Sequence, residues 1–175
     1  MRIHLLRAVN VGGATLPMAE LRALATELGA ADVSTYIASG NLLCTPTGDA
    51  STFDRALEAA VERRFGFFRE VVSRSVEELR AALAAHPFDV VEPKLSHVYF
   101  LLAEPAPEAA AAFASADWGA DEVRVLGRDL HIRYADGVAG SRLTPARIKR
   151  SLGQVGTGRN IATVDKLIQL AEPAR

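Results

Sequence analysis

The chain has 175 residues, 49% hydrophobic and 23% charged, with a formal net charge of −1, which excludes a disordered chain of low hydrophobicity and large charge imbalance. Its length allows roughly two-thirds of the unfolded surface to be buried, and its single cysteine, Cys44, excludes an intrachain disulfide and fits a reducing cytosol. The longest apolar run, Val98 to Ala103, is too short for a membrane-spanning helix, and Arg7 interrupts any signal-peptide apolar region, so a cytoplasmic protein without membrane contact is expected.

Taken in order, Ile3 to Val9 reads as a strand ending in the turn Asn10-Val11-Gly12-Gly13. A helix is predicted next, with Pro17 near its start, an apolar stripe of Met18, Leu21, Leu24 and Leu28, and Gly29 past its end. Val33 to Ile37 and Leu42 to Thr45 predict a hairpin-like strand pair around Ser39-Gly40-Asn41. Ser51 with Asp54 is expected to open a second helix whose face is Phe53, Leu57, Val61 and Phe65. Phe67 to Ser73 then reads as a strand, and Ser75 with Glu78 as the capping box of a third helix burying Val76, Leu79 and Leu83.

The order then nearly repeats. Ser96 to Leu102 reads as a strand, Pro107 to Ser115 as a helix, and Glu122 to Leu126 with Leu130 to Tyr134 as a strand pair around Gly127. Thr144-Pro145 opens a further helix, and Ile161 to Leu170 forms the last. The fold expected is α+β: two ferredoxin-like βαββα(β) units forming an internal pseudo-repeat with a shared core. Residues 1–90 would form the first unit and 91–175 the second, with basic C-terminal helices, in one compact domain. The plainer alternative is a single irregular α+β domain.

Charge is segregated along the chain. Residues 103–122 carry five acids (Glu104, Glu108, Asp117, Asp121, Glu122) and no lysine or arginine, whereas residues 140–160 carry five bases (Arg142, Arg147, Lys149, Arg150, Arg159) and no acid. Such asymmetry fits either an anion-binding surface or an ordinary solvated helix face.

Gly153-Gln154-Val155-Gly156-Thr157-Gly158-Arg159-Asn160 is a near match to a phosphate loop, but arginine and asparagine replace the lysine and Ser/Thr that its chemistry requires. A weaker reading survives, in which glycine-rich backbone before the last helix offers N–H groups to an anion beside Arg159. Arg7-Ala8-Val9-Asn10-Val11-Gly12-Gly13 likewise places a cation, an amide and flexible backbone at a strand end, although turn chemistry alone accounts for such residues. No nucleophile elbow or zinc-protease motif is present. His4, His86, His97 and His131 have no metal-ligand spacing, Cys44 reads as a structural thiol, and neither metal nor cofactor is expected.

Several separate strings together resemble the family called domain of unknown function 1697. They are LLRAVNVGG (Leu5 to Gly13), PMAELRAL (Pro17 to Leu24), TYIASGN (Thr35 to Asn41), HPF (His86 to Phe88) and HVYFL (His97 to Leu101). Ser141-Arg142-Leu143-Thr144, Leu152-Gly153, Thr157-Gly158-Arg159-Asn160, Thr163-Val164 and Lys166-Leu167 extend the match. The resemblance implies a two-part α+β protein with ferredoxin-like units and no assigned activity. It points to Arg7, Asn10, Gly12, Gly13, Ser39, Gly40, Asn41, Thr157, Arg159 and Asn160, with Arg142 where the family often has lysine.

These residues, Arg142 included, are the candidate ligand site of a binding protein for a small anionic or phosphate-bearing molecule, the arginines supplying charge-assisted contacts and the asparagines orientation. An enzyme acting on a phosphorylated or nucleotide substrate is the first alternative, with His97 or His131 as its base; no catalytic residue is assigned. Single-strand nucleic-acid binding is disfavoured, because aromatic residues are only 6% of the chain. A protein-interaction or oligomeric module without chemistry is the remaining alternative, and the oligomeric state is left open.

Overall fold

The computed structural model describes residues 1–172. The chain divides into two compact units, Met1–Leu79 with the segment from Leu167 onward, and Arg80–Lys166. The first holds β1 (Arg2–Leu6), α1 (Met18–Glu27), β2 (Ala31–Tyr36), β3 (Asn41–Thr45), α2 (Ala50–Phe65) and β4 (Val71–Ser75), and α3 (Val76–Ala84) leads out of it. The second holds β5 (Ser96–Leu101), α4 (Pro107–Ser115), β6 (Glu122–Leu126), β7 (Asp129–Arg133), a short 3-10 turn (Val138–Gly140), α5 (Pro145–Leu152) and β8 (Gly156–Asn160), followed by α6 (Ile161–Ala171).

Each unit carries one four-stranded sheet, ordered β2-β3-β1-β4 in the first and β6-β7-β5-β8 in the second, with every strand pair antiparallel. The same order arises twice from the same succession of elements, which is the ferredoxin-like arrangement in pseudo-repeat. The alternative of one irregular domain falls with it.

The period-2 alternation of strands and the 3.6-residue period of helices fix which side chains meet. In the first unit, Leu6, Leu42, Cys44 and Val71 pack against Leu21, Leu24 and Ala25 of α1 and Phe53, Leu57, Ala60 and Val61 of α2. In the second, Tyr99, Leu101, Leu130 and Ile132 pack with Phe113 of α4, Trp118, and Ile148 and Leu152 of α5. The central strands β1 and β5 are buried on both faces, Ile3 and Leu5 as fully as Leu6, and Val98 and Phe100 as fully as Leu101.

The capping box of α3 is present: Ser75 N–H donates to Glu78 Oε2 (2.7 Å) and Glu78 N–H to Ser75 Oγ (3.1 Å); Leu83 is only half-buried. Three local expectations need correction. The first strand ends at Leu6, because Ala8 and Asn10 turn into the left-handed region at φ 50° and 57°. Helix α2 is capped by Asp49, which accepts from Thr52 N–H at 2.9 Å, while Asp54 is buried and accepts from His4 Nδ1 and Ser73 Oγ at 2.6 Å each. The fourth strand starts at Val71, whose N–H donates to the buried Glu58 at 2.7 Å.

The largest difference is β8, a strand where a glycine-rich loop was expected. Its glycines answer to close approach: a Cβ on Gly156 would lie 2.5 Å from Phe100 O and 2.7 Å from the Tyr99 ring, and one on Gly158 would lie 3.1 Å from that ring. Gly156→Ala is expected to destabilise the fold by about 1–3 kcal/mol through overpacking, and Gly158→Ala by less. Denaturant unfolding of the two variants checks this; equal stability for both and the wild type would contradict it.

Candidate functional site

The candidate residues fall in two groups, one in each unit. In the first unit, β1 is antiparallel to both its neighbours, so three connections reach the same end of the sheet: residues 7–17 leaving β1, 37–40 joining β2 to β3, and 66–70 entering β4. They are tied together by hydrogen bonds. Asn10 Nδ2 donates to Ala38 O (2.6 Å) and Leu16 O (3.0 Å), and Asn10 Oδ1 accepts from Leu16 N–H (2.8 Å). Leu6 N–H donates to Gly40 O (2.9 Å) and Arg7 N–H to Glu70 O (3.0 Å). Arg69 Nε donates to Ala8 O (3.0 Å) and its Nη1 to Phe68 O (2.7 Å). Asn41, fully buried, donates to Tyr36 O (3.0 Å) and to Ser39 Oγ (2.9 Å).

Asn10, Ser39, Gly40 and Asn41 thus hold the loops in shape. Backbone strain accompanies them: Ala8, Asn10 and Ile37 all sit at φ near 50–57°, a region that costs a non-glycine residue roughly 1–3 kcal/mol and persists only where surroundings enforce it. Gly12 and Gly13, at φ 60° and 88°, face open space.

Donors are in excess at this end. Arg7 Nη1 pairs with Glu70 (3.3 Å), yet its Nε is buried without an acceptor. Arg69 lies 5.0 Å from the Phe67 ring centroid and, among the described residues, pairs with no carboxylate. The amides of Gly12 and Gly13 donate to nothing among the described residues. Arg69 was invisible to sequence reasoning because it sits in no motif; only the tertiary approach to Ala8 singles it out.

In the second unit, Arg142 is exposed and pairs with Asp117 (2.5 Å), and Arg147 lies 5.1 Å from the Trp118 ring centroid. Part of the basic stretch therefore meets the acidic stretch. Thr157 and Arg159 lie inside β8; Arg159 is 8% exposed, and its Nη1 donates to Thr157 Oγ1 and Gly158 O, both 2.8 Å away. Burial lowers the Arg159 guanidinium to about 10. Asn160 Oδ1 accepts from Thr163 N–H (2.8 Å), at the start of α6.

The histidines pair in ways that sequence spacing hides. His4 binds Asp54 beneath α2 and lies 5.0 Å from the Phe53 ring centroid. His86 and His131, 45 residues apart, place their Nδ1 atoms 3.2 Å from one another. Burial, with a smaller contribution from His86, lowers His131 to about 4; burial lowers His97, set edge-on to Tyr134, to about 4 as well. Among the described residues no cluster of three metal-ligating side chains occurs and no helix is long and apolar enough to cross a membrane.

A doubled ferredoxin-like unit with structured loops at one sheet end defines an α+β class, not a reaction. The chain belongs to the family described as protein of unknown function (DUF1697), whose model matches residues 1–131. Among solved structures it is similar to the conserved bacterial protein SP0830 from Streptococcus pneumoniae, at 22% identity over 98% of each chain with a TM-score of 0.75. That likeness is one of fold. No curated protein matches the sequence.

Burial lowers His86 as well, and the two most depressed histidines, His97 and His131, dominate an acid dependence. Their ordinary value is 6.5 and their folded values are near 4, so the neutral ring is the form the fold accommodates. Above pH 6.5 neither state binds the proton. Between 6.5 and 4 the unfolded chain takes it up first, so stability falls as pH falls, by roughly 3 kcal/mol for each histidine at completion. Urea unfolding from pH 7.5 to 4 should show this loss, with a shallower slope for His131→Gln; a pH-independent midpoint for the wild type would contradict it.

Proposed function

We propose that the protein binds a small anionic ligand at the loop end of its first unit, with no chemistry of its own. One observation carries this reading: strained, hydrogen-bonded loops hold donors without acceptors, namely Arg7 Nε and the Gly12 and Gly13 amides, beside the Arg69 guanidinium, which two backbone carbonyls hold in place and whose charge no carboxylate among the described residues balances. An anion would supply the acceptors and the countercharge that this loop end lacks, and charge-assisted bonds of this sort are about twice as strong as neutral ones. Backbone amides in left-handed turns form anion-binding concavities elsewhere by the same physics.

Val11, Ile37 and Phe68 are exposed on the same three loops, which suits an anion that carries an apolar portion. Arg142, Thr157, Arg159 and Asn160 lie outside this proposed site. Their partners include Asp117, Thr157 Oγ1, Gly158 O and Thr163 N–H, which give them structural work in the second unit.

A thermal-shift screen with inorganic phosphate, nucleoside monophosphates, hexanoate and benzoate tests the reading. Ligand at ten times Kd should stabilise the native state by about 1.4 kcal/mol, roughly 3–5 °C for a chain of this size. Arg69→Ala should abolish or halve that shift, whereas Arg142→Ala should keep it. No shift of the wild type by any of these anions, or an unchanged shift in Arg69→Ala, would overturn the proposal.

A further inference from the structure

The second unit contains a cavity of 210 Å³ beside the start of β5 and the end of β7, none of whose lining residues belongs to the loops just described. Its shape follows from local chain geometry. Ser96 faces Arg133 in the β5–β7 ladder, Leu95 O accepts from Tyr134 N–H (2.9 Å), and Leu95 N–H donates to Glu92 O (2.9 Å), turning residues 91–95 over the strand ends. Val91, Leu95 and Tyr134 give apolar walls, and Glu92, Ser96 and Arg133 the polar lining.

Two features of this lining are unexplained by the fold alone. Ser96 is 1% exposed, yet its Oγ has no hydrogen-bond partner; a buried hydroxyl left so is destabilising. Val91 is 87% exposed, a large apolar side chain left in water at the cavity's rim. A molecule in the cavity would complete the first and cover the second.

Charge selects among ligands. Arg133 directs both Nε and Nη2 at Glu122 Oε2, so its charge is already compensated. Glu92 is exposed and pairs with no cation among the described residues. A carboxylate would meet a neutralised arginine and a free acid; an ammonium would meet only a solvated acid, worth little in water. The volume equals that of roughly seven waters at about 30 Å³ each.

We propose that this cavity binds a small uncharged molecule, with a short apolar body and one amide or hydroxyl head that hydrogen-bonds Ser96 Oγ. Isobutyramide, isobutyrate and isobutylamine share one isopropyl body and carry an uncharged, an anionic and a cationic head respectively. Titrated into the 15N-labelled full chain, isobutyramide should give saturable amide shifts at Val91, Ser96 and Tyr134 and bind more tightly than either charged analogue. Ser96→Ala removes a hydroxyl that has no partner, so it should fold with unreduced stability and bind isobutyramide about fivefold or more weakly, the loss of one ordinary hydrogen bond. Val91→Asp, at the exposed rim, should also fold and weaken binding. Absence of saturable shifts, equal affinity in Ser96→Ala, or tighter binding of isobutyrate or isobutylamine would overturn the proposal.

Discussion

The loop end of the first unit depends on one close approach. At Gly40 a Cβ would lie 2.5 Å from Val9 Cγ2 and 3.0 Å from Leu6 Cβ, and the backbone is at φ 78°. Only glycine meets both constraints. That contact seats the β2–β3 turn on the chain leaving β1, brings Gly40 O to Leu6 N–H, and sets Ala38 O where Asn10 reaches it. The left-handed residues at Ala8, Asn10 and Ile37 are consequences of this seating, because none would persist without neighbours that enforce it.

The pseudo-repeat explains why chemistry is concentrated away from the sheets. Both units use the same strand order, and both central strands give their side chains to burial on either face. What distinguishes the units is their ends. The first has long, cross-linked loops with donors in excess, while the second joins β6 to β7 through the tight turn at Gly127 and opens a cavity at the start of β5. The segregation of charge along residues 103–160 is in part local complementarity, as Arg142 with Asp117 shows.

The architecture was legible in the sequence because helix and strand periods, the Ser75–Glu78 box and the Thr144-Pro145 start are local signals. β8 was not, because glycine reads as turn when seen alone; what places Gly156 and Gly158 in a strand is the Tyr99 ring, which is 57 residues before Gly156. Asp49 takes the cap expected of Ser51, and Asp54 accepts from His4 across 50 residues, a contact that local pattern does not reveal. Of the candidate site, the motif strings Leu5–Gly13 and Thr35–Asn41 do converge, yet their asparagines hold loops together, and the half-buried Arg69 beside them is marked by no local pattern. Ser96 and the His86–His131 pair were hidden for the same reason: burial without a partner, and a contact across 45 residues, are tertiary facts.

The central claim is that the three loops form one rigid, side-chain-stapled body, and amide hydrogen exchange tests it most directly. Leu16 N–H, bound to Asn10 Oδ1, and Leu6 N–H, bound to Gly40 O, should be protected in the wild type. Asn10→Gly keeps the left-handed backbone but removes the staple, so Leu16 exchange should accelerate by at least about tenfold while amides of β5 and β7 are unchanged. Exchange of Leu16 at the unprotected rate in the wild type, or unaltered protection in Asn10→Gly, would contradict the account.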